Sequence, residues 1–287
     1  MAQRLVKTDF DVAYMDMLTD ILDSNGVKDE RTGKEVRAVH GRHLRQLGLP
    51  ILTLRDINTK WFCAEVVWFL AGGRDVRWME SFGFKNWSKF ADNNGVLHSA
   101  YGYRWRQHGM DQLEQLVDTL EADPTAKRTM LCSWLPYPDM LPDDHSDRLK
   151  NAPCVPVVHF TVVDGLLHCS AFQRSCDLYF GLPHDIAGIS VMHHMLAARL
   201  GMSVGAISWT LSNVHLYENQ FELGHKLIDR YLDTAGQSPN FSLRCEADWW
   251  DRGMAADKSL VMDVYHRVER PYSKVKRGKL DRVEITV

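Results

Sequence analysis

An α+β fold is predicted, a single large domain over residues 1–287 in which helices pack on a mixed β-sheet. Three observations carry this. Apolar residues at helical spacing occupy both halves of the chain, a β-hairpin signal sits near the middle, and no repeat, linker or low-complexity stretch divides the sequence. With 45% apolar and 25% charged residues the chain can bury a substantial core, which argues against disorder.

The first element is a helix in DFDVAYMDMLTDILDSNG, where Phe10, Ala13, Met17, Leu18, Ile21 and Leu22 recur at helical spacing and Asn25-Gly26 supplies a stop. After the loop KDERTGKEV, a second helix is expected in NTKWFCAEVVWFLAGG and a third element in the aromatic-rich WMESFGFKNWSKFADNNG. Residues 109–122 read as helix and KRTMLCSW as strand. CVPVVHFTVV and GLLHCSAFQ form a strand pair joined at Asp164-Gly165. A long apolar helix with an internal Pro183 is expected over CDLYFGLPHDIAGISVMHHMLAARLG, then an extended AISWTLSNVHLYEN and a helix in QFELGHKLIDRYLDTAG. SLVMDVYH and RVEITV read as strands.

Several function classes are disfavoured. A net charge of -3 gives no footprint for a nucleic-acid polymer, whose phosphates call for a strongly basic face. No segment reaches the roughly 18 apolar residues of a membrane span, and the N-terminal MAQRLVKTDF has no long apolar run, so a soluble cytoplasmic protein is expected. The six cysteines show no CxxC spacing and read as reduced thiols, with no metal site expected. Any catalytic role for one of them has to come from its neighbours.

Those neighbours are informative around Cys154. The chain reads NAPCVPVVHF, then QRSCDLYFGLPHDI, then WTLSNVHLYEN, with DERTG, AEVVWFL, NWSKFADNNG and AYGYRWR upstream. Together these motifs resemble the thymidylate synthase superfamily over nearly the whole chain. The resemblance implies a thymidylate synthase-like fold and one-carbon transfer from 5,10-methylenetetrahydrofolate to C5 of a pyrimidine nucleoside monophosphate. It makes Cys154 the nucleophile that adds to ring C6, with Arg174 as the cation beside it.

By the same resemblance, Arg31, Arg174 and Ser175 bind the nucleotide phosphate, for which guanidinium forks and a hydroxyl are suited, and Gln173 adjoins the nucleotide. Lys127 and Arg128 fall where the family presents two arginines to the neighbouring subunit's phosphate, which implies a homodimer with shared sites. His215 and Tyr217 match the pair that bonds the sugar hydroxyl, Glu65 the glutamate that organises proton transfer, and Tyr101 the tyrosine associated with loss of the C5 proton. Trp87, Asp177 and the C-terminal Val287 match groups on the folate side. Independently of the resemblance, Glu65 stands out as a carboxylate among apolar residues, expensive unless partnered.

The departure that bears on substrate is Asp185 in GLPHDI, where family members acting on dUMP carry asparagine. A carboxamide accepts from uracil N3–H and donates to O4. An aspartate accepts from the cytosine amino group and shares a proton with N3, while facing uracil O4 with a second acceptor. Val155, in place of the usual histidine after the nucleophile, and Leu135, Leu211, Ser212 and Asn213 show further change on the base and folate side. The base-reading motif is thus similar to that of deoxycytidylate 5-hydroxymethylases, which capture the methylene intermediate with water. A dCMP 5-methyltransferase stays open, favoured by Trp87 and Val287, with Phe90 leaning the other way. A CMP hydroxymethylase, an ordinary thymidylate synthase and a catalytically silent nucleotide or RNA binder are the remaining alternatives.

Overall fold

The computed structural model describes residues 6–30, 32–107, 109–142, 144–146 and 149–272. Arg31, Val287 and the RVEITV segment lie outside them.

Along the chain run β1 (Lys7–Thr8), α1 (Asp9–Leu22), β2 (Gly26–Lys28), β3 (Glu35–Gln46), α2 (Thr59–Leu70), α3 (Arg77–Glu80), a 3-10 turn (Trp87–Lys89), α4 (Tyr101–Arg106) and α5 (Gln112–Ala122). Then follow β4 (Met130–Cys132), the single turn α6 (Pro136–Asp139), β5 (Val157–Val163), β6 (Leu166–Asp177), α7 (Gly181–Arg199), β7 (Ser203–Tyr217), α8 (Glu218–Asp233), β8 (Gln237–Ser238), α9 (Trp249–Met254) and α10 (Leu260–Tyr272). The main sheet has the order β2-β3-β7-β6-β5-β4, with β6 and β7 parallel and the other neighbours antiparallel, so it is mixed as expected.

Local chemistry explains the element ends. Thr8 caps α1 by accepting from the Asp11 N–H, while Asp11 reaches back to the Thr8 N–H. Asn58 caps α2 through the Trp61 N–H. Asp164 and Gly165 both have positive φ, 52° and 74°, the geometry of a two-residue hairpin turn whose twist matches that of the strands.

The α2 sequence is apolar all round because the helix is the centre of the core, packed against α7, α9 and α10. Gly102 permits α4 to lie directly on α2: a Cβ there would sit 2.3 Å from the Phe69 carbonyl oxygen.

Three expectations are corrected. SLVMDVYH is helical from Leu260 on, as part of α10, where Leu260, Val261, Val264 and Val268 are buried at helical spacing; burial against α2 overrides the strand preference of valine. The aromatic-rich third element is two short pieces, α3 and the 3-10 turn. Pro183 lies in the first turn of α7, where its missing N–H has no intrahelical partner to lose, and Cys176 and Asp177 end β6 ahead of that helix.

No helix among the described residues is long and apolar enough to cross a membrane.

Candidate active site

One face of α2, the helix α4, the start of α7, the segment before β5 and strands β6 and β7 enclose a cavity of about 430 Å³, a size suited to a small ligand. Into it the fold brings Glu65, Trp87, Tyr101, Cys154, Gln173, Arg174, Ser175, Asp177, Asp185, His215 and Tyr217. Lys127 and Arg128 are exposed on the connection from α5 to β4 and do not line this cavity.

Periodicity accounts for the convergence. On α2, Trp61, Glu65 and Phe69 are four apart and share one face; on α7, Gly181, His184, Asp185, Gly188 and Ile189 form a stripe. Gln173, Ser175 and Asp177 alternate along β6, and parallel pairing sets Ser175 beside Asn213 and Asp177 beside His215.

Cys154 is partly buried, and its backbone is held from two sides. Its N–H and that of Val155 both donate to Tyr101 Oη, at 3.0 and 3.1 Å. Its carbonyl accepts from the Arg174 N–H at 2.8 Å. The Arg174 side chain spans the preceding residues, Nε donating to Pro153 O and Nη2 to Ala152 O, each at 2.9 Å, and its guanidinium lies 5.3 Å from the Trp134 ring centre. Burial holds the Tyr101 hydroxyl well above the ordinary phenol range, so it is a neutral phenol at neutral pH.

Glu65 receives two indole donors on one oxygen: Trp61 Nε1 at 2.7 Å and Trp87 Nε1 at 2.6 Å from Oε1. Burial, and then the nearby Asp185, push its carboxyl up to about 8 against the lowering effect of the indoles. Glu65 therefore holds a proton at neutral pH. The folded state binds that proton more tightly than the unfolded chain, so its stabilising effect is complete below the ordinary carboxylate range and is lost as pH rises toward about 8. Glu65→Gln keeps an acceptor for both indoles and cannot ionise. It is expected to raise Tm above wild type at alkaline pH, by the equivalent of a few kcal/mol, with the gain vanishing near pH ~4; thermal melts across pH check this, and a pH-independent difference refutes it.

Asp185 is raised to about 7, chiefly by burial. Its Oδ2 accepts from Gln173 Nε2 at 2.8 Å, and Gln173 Oε1 accepts from Trp209 Nε1 at 2.8 Å. Both Asp177 oxygens meet donors of the chain itself: the Phe180 N–H at 2.8 Å and Gln220 Nε2 at 2.9 Å. Asp177 thus closes the turn from β6 into α7 while lining the cavity. His215 Nδ1 lies 2.8 Å from Asn213 Oδ1, and its ring meets Tyr217 edge-on. Burial lowers His184 to about 4, leaving it neutral between the Trp61 and Phe180 rings.

Four supporting residues were not anticipated from sequence. Trp61 could have been found, since it precedes Glu65 by one helical turn. Gln220 sits in the first turn of α8, where a glutamine reaching back to Tyr217 N–H is a capping signal. Trp209 and Trp134 reach their partners across strands and loops, which no local pattern shows.

Among the described residues no group of three or more His, Cys, Asp or Glu side chains is arranged to hold a metal ion. A family model described as Thymidylate synthase matches residues 12–269, a span that holds every cavity residue named above. Enzymes of this kind transfer a one-carbon unit to pyrimidine nucleotides with a folate cosubstrate. The chain belongs to the thymidylate synthase family.

Proposed function

We propose that the protein converts dCMP to 5-hydroxymethyl-dCMP, taking the one-carbon unit from 5,10-methylenetetrahydrofolate, as one catalytic domain over residues 1–287. The observation that carries the cytosine reading is Asp185, which lines the same cavity as Cys154 with one oxygen held by Gln173.

The residues fit the folate on chemical grounds, since Trp61, Phe69, Trp87, Phe90 and Phe180 give the cavity a wall of flat rings suited to a pterin and its aromatic tail. The folate supplies the carbon at the oxidation level of formaldehyde. Cys154 adds as thiolate to C6 of the cytosine, and the electron pair moves through C5 and C4 toward N3, while the Asp185 carboxylate accepts from the amino group at C4. C5 gains the carbon, and loss of the C5 proton breaks the carbon–nitrogen bond to the folate, so tetrahydrofolate leaves and an exocyclic methylene remains on C5; water adds to that methylene, and the pair flows back through C5 to expel the Cys154 thiolate and restore the C5–C6 double bond. Glu65, protonated at neutral pH beside Asp185, is the group that holds and passes protons on this face. Arg174 and Ser175 receive the phosphate, joined by Arg31; His215 and Tyr217 receive the sugar. Trp87, Asp177 and Val287 serve the folate.

Product mass after turnover with dCMP tests the reading. A gain of CH2O is expected. A gain of CH2 assigns a methyltransferase, the outcome favoured by the Trp87 indole on the cavity wall; no product from dCMP but turnover of dUMP refutes the cytosine reading.

The protein is further proposed to be a homodimer in which Lys127 and Arg128 serve the partner's site. Their exposed position outside their own chain's cavity is the observation that favours it. Mixing an inactive Cys154→Ala chain with an inactive Arg128→Ala chain is expected to restore activity, because one site of each heterodimer receives an intact set. No recovery after verified subunit exchange counts against shared sites.

A further inference from the structure

A protonated carboxyl is ambidextrous. It offers one O–H donor and one acceptor oxygen, and either oxygen can carry the proton. Such a group can pair with N3–H and O4 of uracil as readily as with N3 and the amino group of cytosine. An amide has no such freedom once one end is held.

At Asp185 the geometry decides which oxygen carries the proton. Trp209 Nε1–H can only donate, and it donates to Gln173 Oε1 at 2.8 Å, with Trp209 0% and Gln173 1% exposed. This fixes the NH2 end of Gln173 toward Asp185 Oδ2 at 2.8 Å and toward Ser175 O at 3.3 Å. Turning the amide over would set two donors against each other at Trp209 and leave both unsatisfied in the core. An oxygen that receives an N–H is the weaker base of its carboxyl, so the proton of the acid sits on Oδ1. We propose that Trp209, acting through Gln173, holds the Asp185 carboxyl one-handed, so that its acid form shows the base the donor–acceptor pair of an asparagine amide. Trp209 is on this account a positioning residue, and the account rests on Asp185 reading the base.

The consequence is a base preference that changes with protonation of Asp185, which burial brings to about 7. Asp177 from β6 raises Asp185, and Asp185 in turn raises Glu65 from α2, Tyr101 from α4 and Cys176 from β6. Glu65 keeps its proton to about 8, and Tyr101 and Cys176 are held higher still. Asp177 is common to wild type and every variant below.

The test is the dCMP:dUMP ratio, in Kd by calorimetry and in kcat/KM, between about pH 6 and 8. The wild-type ratio is expected to move at least about tenfold toward that of Asp185→Asn at the acid end, while the Asp185→Asn ratio stays flat. Trp209→Phe keeps a ring in the core but frees the Gln173 amide, so its acid-end ratio should fall about tenfold short of the asparagine value. Gln173→Glu is the second variant: one carboxylate oxygen still accepts from Trp209 and the other draws the proton onto Asp185 Oδ2, which opposes the wild-type drift. A wild-type ratio that does not approach the asparagine value overturns the proposal, as do variants that track wild type across pH. An Asp185→Asn protein with the wild-type ratio at every pH overturns the base-reading role itself, and the proposal with it.

Discussion

Replacing Cys154 with alanine is expected to lower turnover by more than about four orders of magnitude while dCMP binding stays within severalfold of wild type. The proposed reaction begins with a bond from sulfur to C6, and nothing else at that position can form it. The Cys154 backbone and its flank are held by the Cys154 N–H on Tyr101, the Cys154 carbonyl on the Arg174 N–H, and the Arg174 side chain on Ala152 and Pro153. Alanine keeps all of them. Cys154→Ser, whose hydroxyl is a far weaker nucleophile at neutral pH, should be nearly as inactive. Calorimetry with dCMP beside a product assay separates binding from chemistry, and near-wild-type turnover by Cys154→Ala removes the mechanism.

The second large effect is expected at Asp185. In Asp185→Asn, kcat/KM for dCMP should fall about tenfold to a hundredfold and dUMP should become a usable, slower substrate, because an amide turns a donor toward the cytosine amino group where the carboxylate set an acceptor, and no longer sets a second acceptor against O4. Gln173 orients the new amide by donating to its oxygen, as it now donates to Asp185 Oδ2. Recovery on dUMP is limited by Val155, an apolar residue 4% exposed beside the nucleophile, which offers the base no polar group. Steady-state kinetics with both nucleotides and both proteins is the measurement. An unchanged dCMP:dUMP ratio removes Asp185 as the reader of the base.

The sequence showed the site better than it showed the sheet around it. Glu65 was conspicuous because a carboxylate in an apolar helix needs donors, and Trp61 and Trp87 are those donors. The strand β3 gave no apolar signal: its residues are largely polar or charged, only Leu44 and Gln46 are buried, and its identity comes from pairing with β7 over most of its length. In α10 the valines pointed to a strand, and only the neighbouring α2 decides for a helix. Trp209 is a further case, an indole in a strand that reads as core bulk until its neighbour across the sheet is known to be the amide holding Asp185.

The two indoles on Glu65 Oε1 bind the aromatic wall of the cavity to a proton. Each N–H stabilises the ionised carboxylate, so loss of either one raises the proton affinity of Glu65 further. Trp87 is the less buried member of the pair, since it lies on a short 3-10 turn and is partly exposed, whereas Trp61 is packed into α2. A ligand that draws the Trp87 indole away must therefore be bound together with proton uptake wherever Glu65 is partly ionised. Its heat of binding will then vary with the ionisation enthalpy of the buffer, and its affinity will rise as pH falls through about 8.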